Sequence, residues 1–176
     1  KKKKNVLIIG AGFISQIILR ILFRENLNVT ILDRNKFKLR IASKFSHNCI
    51  YFNLDKIKDL TFKKKFDYVI DSTGSSHALN LGLKFLNAEG KFISYGNVYK
   101  DGILYKENYN LILRKELLIQ GVWNSTFKST NNNWHKAENF LLKYPKDFKK
   151  LITHEVPLKS SKKLFRKIYL SKQKKI

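Results

Sequence analysis

The sequence predicts an open, doubly wound α/β sheet of six parallel strands, and three observations carry that expectation. Short apolar runs alternate with longer segments of helical periodicity. The first run, Asn5 to Ile9, ends in the glycine-rich stretch GAGFIS, and a helical pattern follows at once. Strands separated by helices of about ten or more residues pair in parallel through right-handed crossovers.

Each element has its own signal. Asn5 to Ile9 is a short apolar run that suits a strand buried on both faces. Ile14, Ile17, Ile18, Ile21 and Leu22 recur at the spacing of one helical stripe, with Arg20 and Arg24 on the other side. Asn28 to Leu32 is a second strand and Asn35 to Phe45 a second helix. Cys49 to Phe52 is a weaker third strand, Phe66 to Ile70 a fourth, Ser75 to Asn87 a helix and Lys91 to Tyr95 a fifth strand. Glu116 to Val122 reads as the sixth strand, STNNN (Ser129 to Asn133) as a loop, and Trp134 to Tyr144 and Lys159 to Leu170 as closing helices. Residues 1–176 are expected to form a single domain, long enough to bury a full core.

Composition narrows the classes. No stretch reaches the roughly 18 to 20 consecutive apolar residues of a membrane span. The basic start runs into glycines rather than a cleavable small-residue site, so a signal peptide is not expected. Cys49 is the one cysteine, which excludes an internal disulfide and a cysteine-rich zinc cluster within these residues. A cytoplasmic protein is the default. The net charge of +23 invites a nucleic-acid partner. The lysines are spread evenly, however, and 30 Lys, 18 Ile, 16 Asn, 13 Phe and 8 Tyr make up nearly half the chain. These residues share A- and T-rich codons, so coding bias accounts for the charge, and neither a nucleic acid nor a membrane is expected as partner. The absence of Met at position 1 reads as a processed or excised segment.

Chemistry concentrates in three places. In GAGFIS, Gly10 permits a tight strand-to-helix turn, and Gly12 has no Cβ to block a pyrophosphate. The helix start behind it offers unpaired N–H groups and a positive dipole end. Ser15 stands where the dinucleotide pattern has its third glycine, a position that serves packing. Asp33 ends the second strand 23 residues beyond Gly10, close to the spacing of an acid that accepts hydrogen bonds from a ribose. A carboxylate there favours NAD over NADP by repelling a 2′-phosphate, whereas Arg34 beside it could stack on adenine or pair with that phosphate. DSTG and SYGN, from Asp71 and Ser94, close two strands at the carboxyl edge of the sheet, where such sheets bind ligands. There Ser72, Thr73 and Gly74 form one small polar turn, with Gly96 and Asn97 in the other.

The stretches VLIIGAG, VTILDRNKFKLRIA and FDYVIDSTGSSHALNLGLKFLNAEGKFISYGNV together resemble the cofactor domain of the medium-chain, zinc-dependent alcohol and polyol dehydrogenases. RKELLIQGVWNSTF, WHKAENFLLKYP and LITHEVPLKSSKKLFRKI are similar to that family's sixth strand, following helix and closing segment, and KQKKI to the start of its last strand. GVWNS is most like the sugar-alcohol branch, including galactitol-phosphate dehydrogenases. The resemblance covers essentially all 176 residues. It implies a Rossmann fold that binds NAD(P) through Gly10, Gly12, Phe13, Ile14, Asp33, Arg34, Thr73, Gly74, Gly96 and Val98, NAD being favoured. It implies hydride transfer to or from a small-molecule alcohol or sugar alcohol, in a homo-oligomer. Catalytic zinc in that family sits on a GroES-like domain that precedes the cofactor domain, so this chain is expected to carry the cofactor half alone, inactive by itself. The first 70 residues would equally suit a non-catalytic nucleotide-sensing domain.

Other residues read more blandly. His47, His77, His135 and His154 lack metal-ligand spacing and are expected on the surface or in local hydrogen bonds, with His77 near enough to the fourth strand to touch a ligand. Cys49, Trp123 and Trp134 are expected to pack in the core. Lys162, Lys163, Arg166, Lys167 and Lys172 form a solvated face over Leu164, Phe165 and Ile168, with an anionic membrane or polyanion as the alternative.

Overall fold

The computed structural model describes residues 3–52, 65–123, 125–128 and 131–173. Six parallel strands form one sheet: β1 (Asn5–Ile9), β2 (Asn28–Asp33), β3 (Asn48–Tyr51), β4 (Phe66–Asp71), β5 (Leu86–Ser94) and β6 (Leu118–Gly121). Their order across the sheet is β3-β2-β1-β4-β5-β6. This is the doubly wound order of dinucleotide-binding folds, in which the chain reverses direction between β1 and β4. The helices are α1 (Phe13–Arg24), α2 (Lys36–Ala42), α3 (Ser76–Phe85), α4 (Lys106–Arg114), α5 (Asn133–Lys143), α6 (Pro145–Lys149) and α7 (Ser161–Gln173).

The central strands are apolar throughout because helices cover both faces. Leu7, Ile9, Leu32 and Val69 face one core with Leu83, Phe85 and Phe92. Val6, Ile8, Val29, Ile31 and Ile70 face the other with Leu19 and Leu39. Alternate residues of β1 therefore serve opposite layers, as the two-residue strand period requires.

α1 departs from the expected stripe. Its buried residues are Ser15, Gln16, Leu19 and Arg20, whereas Ile14 is exposed. Arg20 is 1 % exposed rather than on the outer side: its Nη1 donates to the Gln16 carbonyl at 2.7 Å and to Gln16 Oε1 at 3.1 Å, and its guanidinium stacks 4.3 Å above the Phe45 ring. Apolar periodicity does not register a charge whose donors are met locally. The helix ends at Arg24; just beyond it Asn26 takes a left-handed φ of 59°, and Leu27 N–H returns to the Leu22 carbonyl at 3.1 Å.

Further differences follow from edges and turns. α3 ends at Phe85 rather than Asn87, and β5 starts at Leu86 with a register shift opposite Phe66 and Tyr68. Glu89 takes φ 57° in that irregularity and donates its N–H to the Lys115 carbonyl at 2.7 Å, while Lys115 Nζ donates to the Leu86 carbonyl at 2.7 Å. Cys49 is exposed, not a core residue, because β3 is an edge strand. Trp123 (79 % exposed) and Trp134 (65 %) likewise lie outside the core, one just past the other edge strand and one in the first turn of α5. Helices α4 and α6 were not legible as elements. Asn131–Asn132 pairs antiparallel with Phe127–Lys128 instead of lying in a loop, whereas Ser129 and Thr130 lie outside the described residues. Lys172 and Gln173 continue α7 rather than opening a strand, and the rest of KQKKI lies outside the described residues.

By its internal contacts the chain divides into two compact units, 1–137 and 138–176. The first holds the sheet and α1 to α4. The second holds most of α5, then α6, a 3-10 turn at Leu158–Ser160 and α7. Within it Phe140 packs on Tyr144 at 5.0 Å and on Phe148 at 5.8 Å between ring centres. Among the described residues, no helix is long and apolar enough to cross a membrane.

Candidate cofactor site

The reversal between β1 and β4 leaves a crevice at the carboxyl ends of the strands. A cavity of about 520 Å³ lies there, lined by the glycine turn after β1, by Asp33 and Arg34 after β2, and by residues 72–77 after β4. Tyr99, Lys100 and Asp101 also line it.

The two glycines of the first turn have different reasons to be glycine. Gly10 has φ +94°, and a Cβ there would collide with Ser72 Oγ and lie 2.9 Å from Thr73 Cγ2. Its N–H donates to the Leu32 carbonyl at 2.8 Å, so it is shaped by its protein neighbours. Gly12 has an ordinary φ of −68°, and nothing lies within 4 Å of where its Cβ would sit. Neither backbone nor packing requires glycine at 12; the open space in front of it does, if a ligand is to approach the backbone. α1 has no side-chain cap and no acid in its first turn, and its first internal acceptor contact is Gln16 N–H to the Gly12 carbonyl at 2.9 Å. The helix start thus offers N–H donors and the positive end of its dipole to an anion.

Asp33 is buried at the end of β2, with both carboxylate oxygens engaged. Oδ2 accepts from Ala11 N–H at 2.6 Å and Oδ1 from Asn35 N–H at 2.7 Å. The carboxylate therefore pins the glycine turn against β2. Each oxygen keeps a further lone pair for a hydroxyl in the cavity. Asn35 in turn caps α2, accepting from Phe37 and Lys38 N–H at 2.9 and 3.2 Å, which brings Arg34 and Lys38 to the cavity wall.

The turns after β4 and β5 pack backbone against backbone. Gly74 has φ +66°, and a Cβ there would run into the Asn97 carbonyl; a Cβ at Gly96 would lie 2.6 Å from Thr73 N. Ser72 Oγ donates to the Ile9 carbonyl at 2.9 Å, tying the turn back to β1. Asp71, 2 % exposed, accepts from Thr73 N–H and Thr73 Oγ1, both at 2.8 Å. Burial pushes its carboxyl above the ordinary range, against the hydrogen bonds from Thr73 and Gly74 that pull it down. Tyr95 is also pushed up, chiefly by burial, while its hydrogen bonds with Ser15 and Ser72 oppose the shift and the charge of Asp71 adds to it.

Six of the ten residues singled out from the sequence line this cavity: Gly10, Gly12, Asp33, Arg34, Thr73 and Gly74. Phe13 is 63 % exposed beside it, Gly96 buttresses the Thr73 turn, and Val98 is 72 % exposed away from the lining. Ile14 lines a second cavity of about 510 Å³ with Ile18, Ile70, Ile93, Tyr95, Asn97, Val122 and Trp123. His77, placed by the sequence near enough to the fourth strand to touch a ligand, lines the first cavity as well. Lys38, Tyr99, Lys100 and Asp101 line it without having been singled out, because they carry no motif. Among the described residues, no group of three His, Cys, Asp or Glu could hold a metal.

The pattern of the zinc-binding dehydrogenase family matches residues 14–143. The chain is 28 % identical over 170 residues to L-threonine 3-dehydrogenase of Coxiella burnetii, covering 92 % of this chain and 47 % of the relative. It is 24 % identical over 160 residues to galactitol 1-phosphate 5-dehydrogenase of Escherichia coli, covering 87 % and 46 %. Among solved structures, an E. coli alcohol dehydrogenase in complex with NADH superposes with a TM-score of 0.69 at 19 % identity, over 97 % of this chain and 50 % of that one. The chain thus spans about half the length of the curated relatives it matches. With the doubly wound sheet, the glycine turn and the matched span together, the chain belongs to the zinc-binding dehydrogenase family.

Proposed function

We propose that this chain is the NAD-binding half of a dehydrogenase that moves a hydride between the carbinol carbon of a small alcohol, polyol or sugar phosphate and nicotinamide. The observation that carries the reading is Gly12: open space where a side chain would stand, at an uncapped helix start, on the switch-point cavity. The Gly12 turn and the first N–H groups of Phe13 and Ile14 would hold the pyrophosphate, by hydrogen bonds and the helix dipole. Asp33 would accept from the adenosine ribose, with Arg34 beside the adenine. Thr73, Gly74, Gly96 and Val98 would lead toward the nicotinamide. NAD would supply the hydride acceptor, and these residues would bind and orient it. Asp33 favours NAD over NADP, since a second negative charge beside this buried carboxylate would be repelled. Zinc, which polarises the substrate oxygen in such enzymes, would be held by residues outside this chain.

The NADH complex of a structural neighbour and the sugar-alcohol and threonine dehydrogenases among the relatives support this reading. The complete protein is proposed to work in the cytoplasm as a homo-oligomer. β6 is an edge strand with Leu118 and Ile119 exposed, and pairing of two such edges would close it. NADH fluorescence titration of the chain is the test. Saturable binding that Gly12→Val abolishes, with the far-UV spectrum unchanged, is expected. A folded chain that does not bind millimolar NADH would sink the proposal.

A further inference from the structure

We propose that Asn80, on the buried side of α3, is a positioning residue for the cofactor: it latches the segment that supplies Tyr99, Lys100 and Asp101 to the cavity wall. Asn80 is 7 % exposed and uses its whole hydrogen-bonding capacity. Its Nδ2 donates to the Ser76 carbonyl at 2.8 Å and to the Ile103 carbonyl at 2.7 Å. Its Oδ1 accepts from Tyr105 N–H at 3.0 Å and from Asn108 Nδ2 at 2.8 Å. One amide therefore joins the first turn of α3, the end of the segment and the first turn of α4.

Besides this latch, Tyr95 is bonded to Ser15 at one end of the segment and Leu104 packs on the core at the other. Residues 95–105 carry no helix or strand, and Tyr99, Lys100, Asp101, Gly102 and Ile103 are exposed. At its near end it leaves the Gly96 contact with the Thr73 turn. At its far end Gly102 lies so close to α3 that a Cβ would stand 2.5 Å from Ser76 Cβ. Gly102 lacks positive φ, so this close approach, rather than backbone conformation, accounts for the glycine. Ser76 and His77 line the same cavity as Lys100. The latch thus holds the cation of Lys100 on the lining of the cavity that Arg34 and Lys38 also line, the space assigned above to a dinucleotide. Asn80 itself does not line the cavity; its effect passes through the segment.

This inference rests on the reading of the cavity as a dinucleotide site. The test uses NADH titration and amide hydrogen exchange on the wild-type chain, Asn80→Ala, Gly102→Val, Lys100→Ala and the double variants. Asn80→Ala and Gly102→Val are each expected to weaken NADH by roughly tenfold and to speed exchange at residues 99–105 while the β1 and β4 amides stay protected. Lys100→Ala is expected to weaken NADH in the wild type but to add little in either background, because the latch and the cation act as one unit. A merely structural Asn80 would lower the melting temperature and leave the Lys100→Ala effect additive. Unchanged exchange at residues 99–105 in Asn80→Ala, or unchanged NADH affinity in folded Gly102→Val, overturns the latch. Failure of the wild type to bind NADH instead overturns the reading of the cavity, whatever the exchange data show. Gly102 is on the surface, so its variant tests the same contact if Asn80→Ala does not fold.

Discussion

The hydroxyls of Ser15 and Tyr95 lie 2.7 Å apart, joining the first turn of α1 to the residue that follows β5. Ser15 occupies the place of the third glycine in the dinucleotide pattern and is fully buried. Its hydroxymethyl group fills the helix–sheet contact with a hydrogen bond where glycine would leave a close apolar approach. Ser15→Ala and Tyr95→Phe should each cost about 1 kcal/mol in urea unfolding, the usual worth of one such bond. Their double variant should cost clearly less than the two together. Strict additivity would show that the two hydroxyls do not interact.

The two glycines of the first turn should part ways under substitution. Gly10→Ala forces a Cβ into Ser72 at φ +94° and should destabilise the fold by about 1–3 kcal/mol. Gly12→Ala meets no protein atom and should leave the melting temperature nearly unchanged while weakening NADH. Equal stability losses at both sites would contradict the assignment of Gly12 to a ligand.

Asp71 sets a pH dependence whose sign is fixed by burial. Its folded pKa stands above the unfolded one, so the folded chain binds more protons in the window that begins near pH 4 and runs up to the raised value. Stability from this group is therefore greatest below about pH 4 and is lost as pH rises through that window. Asp71→Asn keeps an acceptor for Thr73 and removes the titration. The expected outcome is a flatter profile of unfolding free energy against pH and no loss of stability at pH 7. A profile for Asp71→Asn as steep as that of the wild type would refute the assignment.

Asp33 holds two backbone N–H groups, and an amide can accept from only one side. Asp33→Asn should cost about 1–3 kcal/mol through the donor left without an acceptor. It should also lower the preference for NADH over NADPH, measured by parallel titrations. A full loss of stability with an unchanged preference would make Asp33 a structural staple alone.

Glu116 follows α4 with a left-handed φ of 53°, and Leu117 N–H returns to the Ile112 carbonyl at 3.0 Å. Glycine adopts that conformation without a Cβ clash worth about 1–2 kcal/mol, although its own entropy cost offsets part of the gain. Glu116→Gly should therefore raise stability by up to about 1 kcal/mol in denaturant unfolding. A lower midpoint would show that the Glu116 side chain contributes more than its backbone costs.

The sheet, its parallel pairing and the place of the glycine turn were all legible in the amino-acid sequence. They rest on local periodicity and on turns that few residues can make, and both are written in consecutive positions. Asp33 was legible too, since the length of one strand–helix–strand unit sets its distance from Gly10. Folding in three dimensions settled which glycine faces open space, that Arg20 is buried, and that Asp33 staples Ala11. It also joined Ser15 to Tyr95, 80 residues apart, and Asn80 to Tyr105 and Asn108. These are hydrogen bonds between groups brought together by the packing of separate elements, and no periodicity along the chain records them.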